Sequence, residues 1–368
     1  MPSPAPQVDD LGDVTAVVPA GGVGTRLWPL SRASEPKFLH DLTGAGRSLL
    51  QSTVDRLEPL VGGRVMIVTG ARHAAAVREQ LPGVADVLVE PSPRDSMPAI
   101  GLAAAVLERR DPRSVLASFA ADHVVGDLDV FDDRVRQAAR AARTGALVTL
   151  GITPTYPATG FGYVRVGDPA DVPGAPDARR VAAFVEKPDA RTAEDFLASG
   201  EHLWNAGMFV VRATVLLELL AEQHPEMVRL LRQVAARPTS IEDVWDSLTK
   251  ISIDHAVAEP AARAGRVVVV AAPFAWDDVG DFASLATLLA GSGDEDGLVV
   301  LGERRLVVNE GSTGLVAARG GRTVVTLGVD DVVVVDTPDA LLVTTRQRCQ
   351  DVRGVVATLQ RLGREDLT

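Results

Sequence analysis

Cysteine is nearly missing from this 368-residue chain: Cys349 is the only one, so no disulfide can close within it. A reducing, cytoplasmic setting is the default expectation, with the thiol expected to serve helix packing. Apolar runs long enough to span a bilayer are also missing. The opening MPSPAPQVDDLGD has neither the basic start nor the apolar middle of a secretory signal, and residues 1–13 read as a disordered leader. Positive charge is in deficit. With 37 Lys and Arg against 49 Asp and Glu, the formal charge is −12. That field repels a nucleic-acid backbone or an anionic membrane, so neither is an expected partner. Any anionic ligand must be met by a local concentration of cations. Sustained repeats of solenoid or propeller length are not found.

What is there is a folded composition, 46% hydrophobic, with a length that suggests about two domains. Short β-branched runs, TAVVPA, RVMIVT, DVLVE, SVLASFA and ALVTLGI, alternate with stretches such as HAAAVREQL and PAIGLAAAVLERR, whose apolar residues fall three and four apart. The alternation predicts βαβ units, hence an α/β fold with a mostly parallel, Rossmann-like mixed sheet covered by helices on both faces. After Gly151 the pattern becomes mixed, through GYVRVG, RVAAFVEK, GMFVVRA and RVVVVAAPFAW. From about Leu298 it turns to β runs split by Gly and Asp turns, closed by a helix near CQDVRGVVATLQRL. The expected organisation is a catalytic domain over 14–290, a junction at GSGDEDG, and a small β-rich domain over 298–368 for which a β-helix is one available form. The tail's alternating apolar runs offer an edge for self-association, so a homodimer is a further expectation.

The stretch AGGVGTRLWPLSRASEPKFL follows the first strand, so its glycines lie at a strand's carboxyl end, where backbone N–H groups can cradle phosphate. It is not a Walker A loop, because no lysine with a following hydroxyl stands at the required spacing. A dinucleotide fingerprint fits poorly as well. Counting from Gly22 and Gly24, the third glycine falls on Leu27, Pro29 obstructs a helix, and Asp41 does not sit on a strand that would deliver it to a ribose. Taken alone, the glycines fit a ligand-free turn better than a phosphate site. Arg26 directly after them and Lys37 after the Pro36 turn add two cations that can converge on a polyphosphate.

This element resembles the GGxGTRLxPLTxxxPK motif of the sugar-1-phosphate nucleotidyltransferases, and the tryptophan in TRLWPLS is similar to their mannose-1-phosphate guanylyltransferase branch. EPSPRDSMPAI, AADHVV, TGFGYVRVG, FVEKP, WNAGMFVV, SIDHAVAE and WDDVGDFASL follow in the family's order, from Val17 to about Leu285. Two positions depart from the pattern: PKFL stands for PKQFL, and Asp95 for an asparagine.

The resemblance implies that GTP and α-D-mannose 1-phosphate give GDP-mannose and diphosphate, with Mg2+ as cofactor. Two alternatives stay open: a sibling enzyme using another nucleotide or hexose, and a non-catalytic nucleotide-sugar-binding regulatory subunit. For the nucleotide, the backbone of Gly21, Gly22 and Gly24, with Thr25, is expected to meet the phosphates. Arg26 would face the leaving β- and γ-groups and Lys37 the α-phosphate. Asp122 and Asp278 are implied as the metal pair, with Asp277 as the competing acid and His123 as a structural residue. Glu90, Arg94 and Asp95 are candidates for reading the base, and Ser96 is the expected cap of the helix that follows. Gly162, Glu186, Asn205 and Lys187 are the sugar-phosphate candidates, with Trp204, Phe161 and Met208 as packing around them.

Overall fold

The computed structural model describes residues 10–293 and 297–368. The chain folds into two compact units interleaved in sequence. The first takes the residues through Gly21, Val54–Ala120 and Val125–Trp276; the second takes Gly22–Thr53, Ala121–Val124 and Asp277–Thr368.

In the first unit, strands β1 (Val14–Ala20), β2 (Val65–Gly70), β3 (Asp86–Glu90), β4 (Val115–Ser118), β5 (Leu147–Ile152), β6 (Gly162–Pro169), β7 (Ala178–Val185), β8 (His202–Arg212) and β9 (Val267–Ala271) form one sheet. Their order is β3-β2-β1-β4-β8-β5-β9-β7-β6. β1 to β4 pair in parallel, as the βαβ alternation predicts, whereas β8 runs antiparallel to both β4 and β5 and turns the rest mixed. β1, β2, β4 and β5 are buried along almost their whole length, which is why they read as continuous Val/Leu/Ala runs. The helix Ser96–Arg110 buries ten of its fifteen residues, against the helices Ala213–Gln223 and Pro225–Ala236. An alanine-rich surface allows that close packing; a Cβ on Gly101 would stand 2.8 Å from Leu231 Cδ1.

The leader expected to be disordered over 1–13 differs at its end. Residues 1–9 lie outside the described residues, but 10–13 form a turn with Leu11 fully buried. Charge pairing explains the order: Asp10 meets Arg136 at 2.6 Å and Arg140 at 2.5 Å, and Asp13 is held by Arg143.

The second unit contains a coil of short strands: β10 (Leu298–Gly302), β11 (Val307–Glu310), β12 (Gly314–Ala318), β13 (Val324–Leu327), β14 (Val332–Asp336) and β15 (Leu341–Thr345). β10, β12 and β14 stack in parallel on one face, β11 and β13 on another, and β15 closes the first face antiparallel to β14. Parallel neighbours cannot be joined by tight hairpins, so each crossing lays down a strand of the second face. The apolar residues of 22–53, including Leu27, Trp28, Leu30, Leu42 and Leu49, share a core with Phe282, Leu285, Leu315, Val333 and Val352. Cys349 lies in that core, in a 3-10 turn over Arg346–Asp351, with its pKa pushed by burial up to about 12. Of the junction GSGDEDG, residues 294–296 lie outside the described residues. No helix among the described residues is long and apolar enough to cross a membrane.

Candidate active site

In the second unit the glycine loop and the acidic candidates meet at Lys37. Gly24 has φ +73°, and a Cβ on it would fall 2.9 Å from Lys37 Cγ, so only glycine gives both the left-handed turn and room for the lysine stem. The Lys37 ammonium then donates to Asp122 Oδ2 at 2.9 Å, to the Asp278 carbonyl at 2.7 Å and to the Val279 carbonyl at 3.3 Å. Burial works to raise the Asp122 pKa, but Lys37 and then His123 overcome it and hold the carboxyl below its ordinary value. Asp278 is pushed up, chiefly by burial and also by the Asp277 and Asp122 carboxylates, against the pull of Lys37 and His123.

Val279 is fully buried at φ +48°, a region hostile to a β-branched side chain. Two bonds hold it there: its N–H donates to Asp277 Oδ1 at 2.6 Å, and its carbonyl accepts from Lys37. Asp277 thus spends an oxygen on the backbone. Asp281 serves as the cap of helix Phe282–Leu288. Among the described residues no group of three or more His, Cys, Asp or Glu is arranged to hold a metal. Two carboxylates such as Asp122 and Asp278 match what a phosphate-bound Mg2+ requires in number, since it commonly takes one or two and fills its sphere with phosphate and water.

Thr25 opens a 3-10 turn, Thr25–Leu27, which Trp28 ends in an extended conformation. Gly22 is exposed, with nothing within 4 Å of a Cβ placed on it. Arg26 points to Gln350, donating from Nη1 to Oε1 at 3.1 Å, and is not hydrogen-bonded to the Lys37 cluster among the described residues. Asp41, weighed above as a ribose ligand, accepts the N–H groups of Thr43, Gly44, Ala45 and Gly46 and is a loop cap.

In the first unit Gly21 and Glu90 come together. β1, β2 and β3 are parallel, so the residue after β1 and the last residue of β3 share one edge, and a Cβ on Gly21 would touch Glu90 Oε1 at 3.4 Å. Glu90 is buried, its Oε2 has no hydrogen-bond partner among the described residues, and burial pushes its pKa up to about 7. Arg94 is tied instead to Asp246 at 2.5 Å and to the Leu248 carbonyl at 3.4 Å. Asp95 lies at φ +68° and accepts the Ser96 N–H at 2.8 Å, so the helix cap is Asp95. Ser96 is the first helical residue, and its hydroxyl accepts the Ile253 N–H at 3.0 Å.

Gly162, Glu186, Lys187 and Asn205 form a cluster in this unit. A Cβ on Gly162 would lie 2.4 Å from Glu186 Oε2, so the missing side chain is what lets that carboxylate lie against β6. Lys187, at φ +48°, donates to Glu186 Oε1 at 2.7 Å. Burial opposes its charge, but Glu186, Asp254 and Asp95 hold its pKa above the ordinary value. Asn205 sits at a bulge where four residues of β8 span two of β5, with Gly207 at φ +67° in its centre. Its amide is fixed on both sides: Oδ1 accepts from Thr149 Oγ1 at 2.7 Å, and Nδ2 donates to Asp254 Oδ1 at 2.8 Å. Asp254 was not picked out from sequence, although the lone acid within the apolar part of SIDHAVAE was its signal. Burial, then the Glu186 carboxylate, push its pKa up to about 6. Phe161 packs edge-on to both Trp204 and Trp276, with ring centroids 5.2 Å apart in each pair, as expected of pocket packing.

Comparisons with known proteins bear on the family to which the chain belongs. Residues 15–293 match the nucleotidyl transferase family model, and residues 304–359 match the MannoseP isomerase/GMP-like beta-helix domain. The xanthan biosynthesis protein XanB of Xanthomonas campestris pv. campestris (strain B100) is 38% identical, over 97% of this chain and 76% of that protein. The mannose-1-phosphate guanylyltransferase of Escherichia coli (strain K12) is also 38% identical, over 95% of this chain and 74% of its own length. A crystal structure from Thermus thermophilus, described as a mannose-1-phosphate geranyltransferase, superposes with a TM-score of 0.84 at 34% identity, over 95% of this chain and 99% of that one. The chain belongs to the nucleotidyl transferase family, as an enzyme of α/β nucleotidyltransferase fold with a β-helix-type domain behind it.

Proposed function

We propose that this chain is a mannose-1-phosphate guanylyltransferase, converting GTP and α-D-mannose 1-phosphate to GDP-mannose and diphosphate with Mg2+ as its cofactor. The guanylyltransferases among its relatives support the substrates. The observation that carries the chemistry is the Lys37 ammonium, fixed by one carboxylate and two carbonyls in contact with the Gly24 turn. The nucleophile is an oxygen of the sugar phosphate, already anionic, so no side chain need supply one. That oxygen bonds to the α-phosphorus as the bond to the bridging oxygen of the β-phosphate breaks, and diphosphate leaves with the electron pair. The enzyme's work is alignment and charge relief.

In this reading the amides of Gly21, Gly22, Gly24 and Thr25 bind phosphate oxygens. Lys37 faces the α-phosphate, and Arg26 exchanges Gln350 for the departing diphosphate. Asp122 and Asp278 would hold the magnesium, which when bound would neutralise phosphate charge. Glu90, with one oxygen unpartnered among the described residues, takes the N1–H and amino group of guanine, and Arg94 and Asp95 border the base. Glu186 and Asn205 bind sugar hydroxyls, Lys187 holds the sugar phosphate, and Gly162 lets the sugar approach. Residues 14–290 carry the chemistry, 298–368 are the appended domain, and the setting is cytoplasmic. Val325 and Leu327 on β13, 62% and 74% exposed, suit a homodimer face.

Diphosphate release with Mg2+ tests the reading. GTP with mannose 1-phosphate should surpass UTP with glucose 1-phosphate by at least about 100-fold in kcat/KM. Equal rates would reject it.

A further inference from the structure

Within the second unit a cavity of about 530 Å³, whose lining includes none of Lys37, Asp122 and Asp278, is walled by residues of Pro29–His40 on one side and by Arg319 and Thr337–Asp339 on the other. Its volume is within the range of small-molecule sites. The two arginines in its wall differ. Arg32 is spent on Asp339, with bonds of 2.6 and 2.7 Å, and on the Pro29 carbonyl. The Arg319 guanidinium makes one hydrogen bond among the described residues, from Nη2 to the Asp41 carbonyl, and bonds no carboxylate there. Burial lowers its pKa against the support of the Asp41 charge, and that carboxylate is occupied by loop amides. The remaining donors of Arg319 are a cationic fork with no anion bonded to it. Beside it, burial and the Arg319 charge push the His40 pKa down despite the Glu35 carbonyl, so the imidazole is a neutral hydrogen-bonding wall. Glu35 and Asp339 also line the space. Two carboxylates there repel a polyanion, yet each can accept from a hydroxyl.

We propose that this cavity is an effector site for a small hydroxylated organic anion, with one phosphate or carboxylate head on Arg319 and hydroxyls toward Glu35 and Asp339. The segment that forms its first wall, Pro29 to His40, begins three residues after Arg26 and contains Lys37. A ligand bridging that segment to Arg319 restrains the two cations of the phosphate loop, so binding alters nucleotide affinity.

The test uses the whole protein and glycerol 2-phosphate as probe. Calorimetry in excess mannose 1-phosphate, which fills the sugar-phosphate site, should still show one binding event. Arg319→Gln should weaken it at least about tenfold. Because that change also removes the bond to the Asp41 carbonyl, Ser34→Trp is the second variant: it fills the cavity, leaves Arg319 intact and should abolish binding. Both proteins should keep the parent's melting profile. Absence of a persisting site, or affinity unchanged in Ser34→Trp, overturns the proposal. This readout needs no turnover, so it stands apart from the proposed activity. In kinetics, saturating probe should shift the KM for GTP at least about twofold in the parent and not in Ser34→Trp; an unmoved KM in the parent overturns the coupling.

Discussion

Lys37 is one side chain with three fixed acceptors, and its removal has two consequences. Lys37→Met should cut kcat/KM by about 100- to 1,000-fold, the usual cost of losing one preorganised group that meets developing charge. It also leaves Asp122 without its cation. Steady-state diphosphate release measures the first effect, and a variant within twofold of the parent would remove Lys37 from the chemistry. Glu90 makes a different prediction, in stability. Its folded pKa of about 7 lies above the ordinary 4.5, so the folded chain holds the proton more tightly than the unfolded one. Between those values the folded state binds more protons, and its stability falls as pH rises, by up to about 3 kcal/mol for this group. Chemical denaturation from pH 4.5 to 7 should show that loss in the parent and a shallower slope in Glu90→Gln; identical slopes would contradict it. Both residues could be read in advance, Lys37 from its place after the glycines and Glu90 from the end of a predicted strand. Asp254 had only the signal of a lone acid in an apolar stretch, because what sets it apart is burial beside Glu186 and a bond to Asn205, both made by residues distant in sequence.

Elements decide which glycines matter. Gly24 and Gly22 stand two apart in one loop, yet only Gly24 has positive φ and a lysine stem against its Cα. Gly24→Ala should destabilise by about 1–2 kcal/mol and raise the KM for GTP, whereas Gly22→Ala should stay within about 0.5 kcal/mol of the parent. Urea midpoints separate the two, and equal losses would refute the distinction. Gly162 is a third case. A methyl there would meet Glu186 Oε2 at 2.4 Å, so Gly162→Ala should displace that carboxylate and raise the KM for the sugar phosphate with the GTP KM little changed. The strands of the parallel half were legible because burial on both faces leaves unbroken apolar runs. The bulge that aims Asn205 was not, since WNAGM carries the glycine but not the partner strand against which the extra residues are counted.

At the scale of the molecule, the division between compact units does not follow the chain. Residues 22–53 carry the phosphate-loop cations, yet their apolar side chains share a core with strands almost 300 residues later. A truncation after 290 would therefore strip apolar partners from the very segment that holds Lys37. Such a truncated chain should lose activity and bind an apolar dye, and a fully active fragment would contradict that dependence. Self-association belongs to this scale too. If the exposed face of β13 joins two copies, sedimentation should give a dimer that Val325→Lys with Leu327→Lys converts to monomer; a monomer at all micromolar concentrations in the parent would count against it.

The sequence by itself determined the alternation of strands and helices, the order in which the glycines, Arg26 and Lys37 follow the first strand, and the family, because those depend on spacing along the chain. Tertiary structure alone decided that Lys37 is clamped by Asp122 and the Asp278 carbonyl, that Asp95 caps its helix, that Asp254 fixes Asn205, and that Arg319 faces a cavity with no carboxylate bonded to it among the described residues. Each of those facts is a meeting of side chain and partner across a fold, and hydrogen bonds and desolvation act on distance in space.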